Sequence, residues 1–317
     1  MSDTGTTTTG LNLRAGPDTG SPIRETLQPG TRLVILARQG DWLSVRVADS
    51  GHEGFVSGRF VKLPATDVVS GWLRHDPDVL AAPLAPAARR QPRMPATAEA
   101  KTAARIWNAY GGLLQKLAAR LSIEPEVGVA VMAVESGGAG FKDGRMIIRF
   151  ENHVFFDRWG QQHPDIFARH FRFNTPERWK GHEFRASAGV PWKTFHGDQA
   201  AEWEVFRFAQ EMDRVVARRS ISMGLPQIVG FNASGIGYDG VDEMFDAFSD
   251  PRTGERAQVI GLFDFVKGAR TTSEMVEALR GRDWLAFARR YNGSGQAARY
   301  ANLLAGAHAA AHGLVPA

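Results

Sequence analysis

Over the first sixty residues, apolar positions fall in short runs separated by turn-forming residues. Leu11 and Leu13 bracket a polar Asn12, and the turn-prone Gly16-Pro17-Asp18-Thr19-Gly20 follows. Leu33-Val34-Ile35-Leu36 is a β-rich run that ends at Gln39-Gly40-Asp41. Trp42, Val45 and Val47 come next, then Asp49-Ser50-Gly51, then Gly54-Phe55-Val56. Closely spaced strands with turn chemistry between them predict a small all-β barrel or sandwich. The pattern then stops. Pro64, Pro77, Pro83, Pro86, Pro92 and Pro95 are mixed with alanine and isolated charges, which denies this stretch a continuous helix or a central strand. Residues 65–98 therefore read as a linker, of which Val68–Leu73 can pack against a neighbour.

Beyond residue 98 the period becomes helical. Ile106, Trp107, Tyr110, Leu113, Leu114, Leu117 and Leu121 make one stripe at three- and four-residue spacing, interrupted only by Gly111-Gly112. A second helix is expected from Ser122 as N-cap, with Pro125 in its first turn and Val127, Val131 and Val134 on a shared face. Around Phe141–Glu151 the pattern suggests a hairpin with a Lys142-Asp143-Gly144 turn and an extended run Met146–Phe150. Helices resume near Asp198–Arg219, Glu255–Lys267, Thr272–Arg280 and Asp283–Arg290. The expected architecture is multidomain: a small β-barrel over 8–64, a linker over 65–98, and a mainly α (α+β) domain over 99–317. A chain of 317 residues is also long for one core.

Composition narrows the chemistry. Cysteine is absent, so neither disulfides, thiol catalysis nor cysteine metal sites are available. The first ten residues carry neither a basic nor an apolar signal segment, and no stretch reaches the ~20 apolar residues of a membrane span; stable membrane insertion is not expected. Action outside the cytoplasm would then need holin-type release or dedicated export. The net charge of +4 is spread along the chain, with seven basic against six acidic residues in 1–64. That suits encounter with an anionic polymer but not a nucleic-acid binder, which concentrates its Lys/Arg.

The most informative segment is Val129-Ala130-Val131-Met132-Ala133-Val134-Glu135-Ser136-Gly137-Gly138. An apolar helix ends in a carboxylate, and glycines stop it. Packing around the last turn and the negative end of the helix dipole both favour a neutral Glu135, as a general acid requires. Alone, the same pattern also fits a solvent-facing terminal glutamate. Glu151 follows in Ile147-Ile148-Arg149-Phe150-Glu151-Asn152-His153. A helix end folded back by a hairpin can set it across a cleft, giving the carboxylate pair of glycoside hydrolysis. Equally, Arg149 or backbone donors can hold Glu151 as a brace. Ser222-Met223-Gly224-Leu225-Pro226-Gln227-Ile228 fixes a tight backbone path on which Ser222 and Gln227 offer polar groups to a sugar. In Tyr291-Asn292-Gly293-Ser294-Gly295, Tyr291 and Asn292 can line the same groove. Either run can also be a plain turn between helices.

Two resemblances join these pieces. Leu11-Asn12-Leu13-Arg14-Ala15-Gly16-Pro17, Gly40-Asp41-Trp42-Leu43-Ser44-Val45 and Gly54-Phe55-Val56-Ser57 resemble a bacterial SH3-like domain over about 10–63. The resemblance implies cell-wall binding, for which Asn12, Arg14, Trp42 and Phe55 are candidates; Trp42 also fits a core position. Ala133-Val134-Glu135-Ser136, Arg149-Phe150-Glu151-Asn152-His153-Val154-Phe155, Ser-Met-Gly-Leu-Pro-Gln-Ile and Tyr-Asn-Gly together resemble the lysozyme-like N-acetylmuramidase domain of modular phage endolysins over about 100–313. That likeness implies peptidoglycan cleavage with Glu135 as catalytic acid, Glu151 as candidate base or stabiliser, and Gln227 and Tyr291 in groove-shaping segments. Pro226 departs from lytic transglycosylases, which usually have methionine there, and Glu151 offers a second acid-base group, so hydrolysis is favoured over a single-acid transglycosylase. A non-catalytic wall-binding protein is the other alternative.

Neither metal nor cofactor is expected. His163, His170, His182 and His196 with Glu183 do not reproduce His-Glu-x-x-His, and Gly235, Gly237 and Gly240 form no phosphate loop. The aromatic, arginine-rich stretch Phe150–Phe208 could stack bases but fits a helical core better. The expected partner is bacterial peptidoglycan, met by a monomer, without nucleic acid.

Overall fold

The computed structural model describes residues 4–39, 42–62, 71–268 and 273–317. The chain forms two compact units, Met1–Val68 and Val69–Ala317.

The first unit is all β. Its strands are β1 (Thr4–Thr7), β2 (Leu11–Arg14), β3 (Ile23–Leu27), β4 (Arg32–Gln39), β5 (Trp42–Val47), β6 (Glu53–Ser57) and β7 (Val61–Lys62), in the spatial order β3-β2-β6-β5-β4-β1-β7. Strict alternation sends Leu11, Leu13, Leu43, Val45, Val47 and Val56 into one small core. Register fixes the opposite face. Arg14 pairs with Phe55, Phe55 with Ser44, and Trp42 with Ser57. Cross-strand partners share a face, so Asn12, Arg14, Trp42 and Phe55 stand together on the half-buried outer face, and Trp42 is not a core residue. The Thr26 hydroxyl donates to Asn12 Oδ1 at 3.0 Å, and Arg14 donates to the Ser21 carbonyl at 2.8 Å. The expected turn at Gln39-Gly40-Asp41 lies mostly outside the described residues.

The second unit is mainly helical. Its described helices are α1 (Pro77–Ala81), α2 (Ala98–Leu121), α3 (Pro125–Ser136), α4 (Asn152–Phe155), α5 (Pro164–His170), α6 (Gln199–Met212), α7 (Arg214–Arg219), α8 (Val241–Ser249), α9 (Gly254–Lys267), α10 (Glu274–Gly281), α11 (Trp284–Tyr291) and α12 (Ala297–His312). They enclose two apolar cores. One lies between α2, α3 and α9–α12 and includes Leu113, Leu117, Val131, Phe263 and Phe287. The other is aromatic and gathers Phe150, Phe155, Phe171, Phe184, Phe206 and Phe248. The aromatic run that invites base stacking is thus largely interior, with Phe155 and Phe171 at 5.4 Å between ring centres.

Residues 71–98, expected as linker, pack on this unit. Leu73, Val79 and Ala82 are buried in the first core. The buried Asp264 carboxylate accepts the backbone N–H of Leu73 at 2.7 Å and of Arg74 at 3.1 Å, while buried Lys267 donates to the Gly71 carbonyl at 2.5 Å. The Gly111-Gly112 pair does not break α2. A side chain at Gly112 would stand 2.3 Å from the Ala85 carbonyl, so glycine there lets residues 83–86 lie against the helix. Ser122 closes α2 with φ 54° instead of opening α3; the next helix starts at Pro125 behind Glu124. Pro125 sets that start, because its fixed φ suits a first turn and its missing N–H costs nothing there. The Asp143-Gly144 turn joins Phe141–Lys142 to Arg145–Met146 with both central residues at positive φ, as a tight hairpin requires.

Candidate active site

Glu135 sits in the last turn of α3, whose Val127, Val129, Ala130, Val131 and Met132 are all buried. Gly137 ends the helix at φ 58°. Gly138 follows at φ 74°, where a side chain would meet Ile106 at 2.7 Å. The Arg105 guanidinium of α2 donates to the carbonyls of Gly137 and Gly138, answering the unpaired end of α3. This rigid stop leaves the Glu135 carboxyl in a partly buried position. Burial pushes it up from 4.5 to about 7, against the opposing pull of a hydrogen bond from Asn292. The Asn292 amide nitrogen lies 3.2 Å from each Glu135 oxygen. Asn292 ends α11, directly after Tyr291, whose ring packs on Phe265 and Phe287. Burial, and then the charge of Glu135, raise the Tyr291 hydroxyl well above its ordinary range.

A three-stranded antiparallel sheet carries the second carboxylate. Ile148–Phe150 pairs with Ile221–Met223, which pairs with Ile228–Val229. Glu151 follows the first strand, its N–H tied to the Ser220 carbonyl at 2.8 Å. Arg149 Nε donates to Glu151 Oε1 at 2.8 Å. Register sets Ser222 opposite Arg149, so Ser222 is a buried strand residue beside the arm that holds Glu151. The other oxygen, Oε2, faces His153 Nδ1 at 3.6 Å and His182 Nδ1 at 3.7 Å. Behind it runs a hydrogen-bonded series. His182 Nε2 contacts the Arg178 carbonyl, His182 Nδ1 contacts His196 Nε2, and His196 Nδ1 contacts Glu202, each at 2.8 Å. The second Glu202 oxygen accepts the Phe150 N–H at 2.8 Å, which ties the series back to the strand before Glu151. Burial holds the His153 and His182 rings below the usual imidazole range.

The Gly224–Gln227 turn links the two halves through a residue that the sequence reading missed. Gln258 of α9 is fully buried; its Oε1 accepts the Leu225 N–H and its Nε2 donates to the Phe248 carbonyl, both at 2.8 Å. Gly140 and Gly224 flank it so closely that an added side chain would stand 1.9 Å and 2.4 Å away. The strand entry after Glu135 and the turn before Gln227 are therefore clamped on one amide. Gln227 itself adopts φ 49° and turns its amide onto the Gly224 carbonyl at 2.7 Å.

Of the expected residues, Glu135, Tyr291 and Asn292 meet, and Glu151 directly follows the strand that pairs with Ser222. Gln227 is occupied in its own turn. The histidines disperse: His163 packs on Trp159, His170 reaches the Arg185 carbonyl, and His182 and His196 join the series behind Glu151. Arg105, His153, Glu202 and Gln258 were not singled out. Arg105, Glu202 and Gln258 are tied to the site by contacts between residues far apart in the chain, and only the Glu151-Asn152-His153 spacing is a local signal.

The Glu135 carboxyl, partly buried at a helix end, thus stands on the mainly helical unit that follows the all-β unit. The N-acetylmuramidase family profile matches residues 124–312, more than half of the chain, and the chain belongs to that family. The bacterial SH3 domain profile matches residues 9–62. Among solved structures, a Burkholderia AP3 phage endolysin is similar at 28% identity, covering 63% of this chain and 70% of that one, with a TM-score of 0.48. No curated protein matches. Among the described residues, no helix is long and apolar enough to cross a membrane.

Proposed function

We propose that the helical unit hydrolyses the β-1,4 bond between N-acetylmuramic acid and N-acetylglucosamine. The observation that carries this reading is the Glu135 carboxyl, pushed up to about 7 by burial at a helix end and touched by Asn292. A carboxyl that keeps its proton near neutral pH can give it to the glycosidic oxygen as the bond breaks. Glu151, fixed by Arg149, supplies the second carboxylate, activating water or stabilising the positive charge that develops on the sugar. Tyr291 and Asn292 line the groove beside the acid. Gln227 presents the clamped turn to the glycan, and Ser222 shapes the sheet beneath it.

The outer face of the barrel, with Asn12, Arg14, Trp42 and Phe55, anchors the enzyme to the wall and raises its local concentration on murein. The protein acts as a monomer on the periplasmic or extracellular wall, reached by holin-type release or dedicated export. One observation favours a second reading. The Arg149–Glu151 pair gives Glu151 a bracing use, as expected if Glu135 works alone in a transglycosylase. Mass spectrometry of the fragments released from isolated murein separates the two. Reducing muramic-acid ends are expected. Anhydromuramoyl ends would establish the transglycosylase, cut peptides would reject both, and binding without release would leave a wall-binding protein.

A further inference from the structure

Glu151 Oε2, His153 Nδ1 and His182 Nδ1 converge, all within 4.8 Å of one another. The carboxylate-to-imidazole separations of 3.6 and 3.7 Å are too long for hydrogen bonds. They are close to the edge of a tetrahedron of nitrogen and oxygen ligands around zinc, roughly 3.3–3.5 Å for bond lengths of about 2.0–2.2 Å. His153 Nδ1 is a buried atom with no hydrogen-bond partner, which costs stability unless something accepts its lone pair or proton.

The outward sides of two of the three donors are already held as metal ligands are usually held. His182 Nε2 is taken by the Arg178 carbonyl, which puts the ring proton there and leaves Nδ1 as the ring's lone-pair atom, now accepting from His196 Nε2. Arg149 occupies Glu151 Oε1 and leaves Oε2 free to coordinate. We propose that Glu151, His153 and His182 form a binding site for a divalent transition ion, zinc above all. Two imidazoles and one carboxylate match zinc and its neighbours in the first transition row, whereas magnesium and calcium take oxygen ligands. Coordination displaces one hydrogen bond, that of His196 Nε2 to His182 Nδ1, and His196 keeps its tie to Glu202. Three protein ligands leave a fourth position open to water.

One consequence rests on the proposed reaction: an ion held on Glu151 withdraws the second carboxylate, so zinc slows glycan release. The site itself is tested without any activity. Isothermal titration calorimetry of the full chain, stripped with chelator and titrated with zinc chloride at neutral pH, should show one equivalent bound. Cobalt(II) in its place should give the visible absorption of a low-coordinate nitrogen and oxygen site. His153→Ala, at a half-buried position, should weaken zinc by at least about tenfold while leaving the fold intact by circular dichroism. His308→Ala should change nothing. It removes the rival pair on α12, where the His308 and His312 rings lie 6.1 Å apart. No bound equivalent, or zinc binding that survives His153→Ala and is lost in His308→Ala, would overturn the site. One equivalent bound with glycan release unaffected would keep the site and remove Glu151 from the reaction.

Discussion

The amide nitrogen of Asn292 stands 3.2 Å from both oxygens of Glu135, across 157 positions of sequence. Burial raises the carboxyl and this contact lowers it, so the proton affinity of Glu135 is set by two elements packed together, the end of α3 and the end of α11. Asn292 Oδ1 is buried and without a partner.

The first prediction follows from the sign of that contact. An acid that must be protonated loses activity as pH rises past its pKa, so the alkaline limb of kcat/KM should fall near pH 7. Asn292→Ala removes a donor that favours the carboxylate, and the limb should move to higher pH. Asn292→Asp adds a like charge and should move it further. A limb that stays in place or moves down would refute Asn292 as a tuning contact.

The second concerns stability. Folded Glu135 keeps its proton to about 7, whereas the ordinary value is 4.5, so folding takes up a proton between these limits. A raised pKa contributes most below the unfolded value, and that contribution is lost as pH rises through the folded one. Glu135→Gln has no such loss. Its stability relative to the wild type should therefore increase from pH 4.5 to 8, by about 1–2 kcal/mol after allowance for partial solvent contact. Asp264, also pushed up to about 7 by burial, adds a slope of the same sign that both proteins retain. Denaturant titrations at pH 4.5 and pH 8 give the comparison, and an equal difference at both would contradict it.

The third isolates the clamp. Gln258→Ala leaves the Leu225 N–H and the Phe248 carbonyl unpaired in the core and opens a void between Gly140 and Gly224. A loss of roughly 2–4 kcal/mol is expected. Murein cleavage should fall several-fold at temperatures where the variant is folded, although Gln258 touches no reacting atom. An unchanged melting temperature would show that the clamp carries no load.

The fourth separates linker from fold. A chain beginning at Gly71 should fold and cleave short soluble glycans, and only its activity on intact sacculi should drop. A chain beginning at Ala96 also removes Leu73, Val79 and Ala82 from the core and leaves Asp264 buried without its backbone donors. It should melt at least several degrees lower. Equal melting temperatures would restore residues 71–95 to a linker.

These cases mark where sequence was sufficient. Alternation alone exposed the barrel, because its core face repeats every second residue. The α2 stripe and the stop at Glu135-Ser136-Gly137-Gly138 were legible for the same local reason. Proline content hid the packing of residues 71–98, since Leu73 and Val79 are held by Asp264 and α2, and no local period reports that. Ser122 was misplaced because serine suits both ends of a helix loop, and Pro125 decided where α3 starts. Gln258 and Glu202 look like surface helix residues until the glycines and strand that enclose them are in place. The helix α12 went unread because its alanines carry little periodic contrast.

The most direct test of the central claim is fragment release from purified murein by Glu135→Gln, with circular dichroism showing the fold intact. The account predicts a fall of at least ~10²-fold, since the variant keeps size and the Asn292 contact but has no proton to give. Cleavage near the wild-type rate by a folded Glu135→Gln would contradict it.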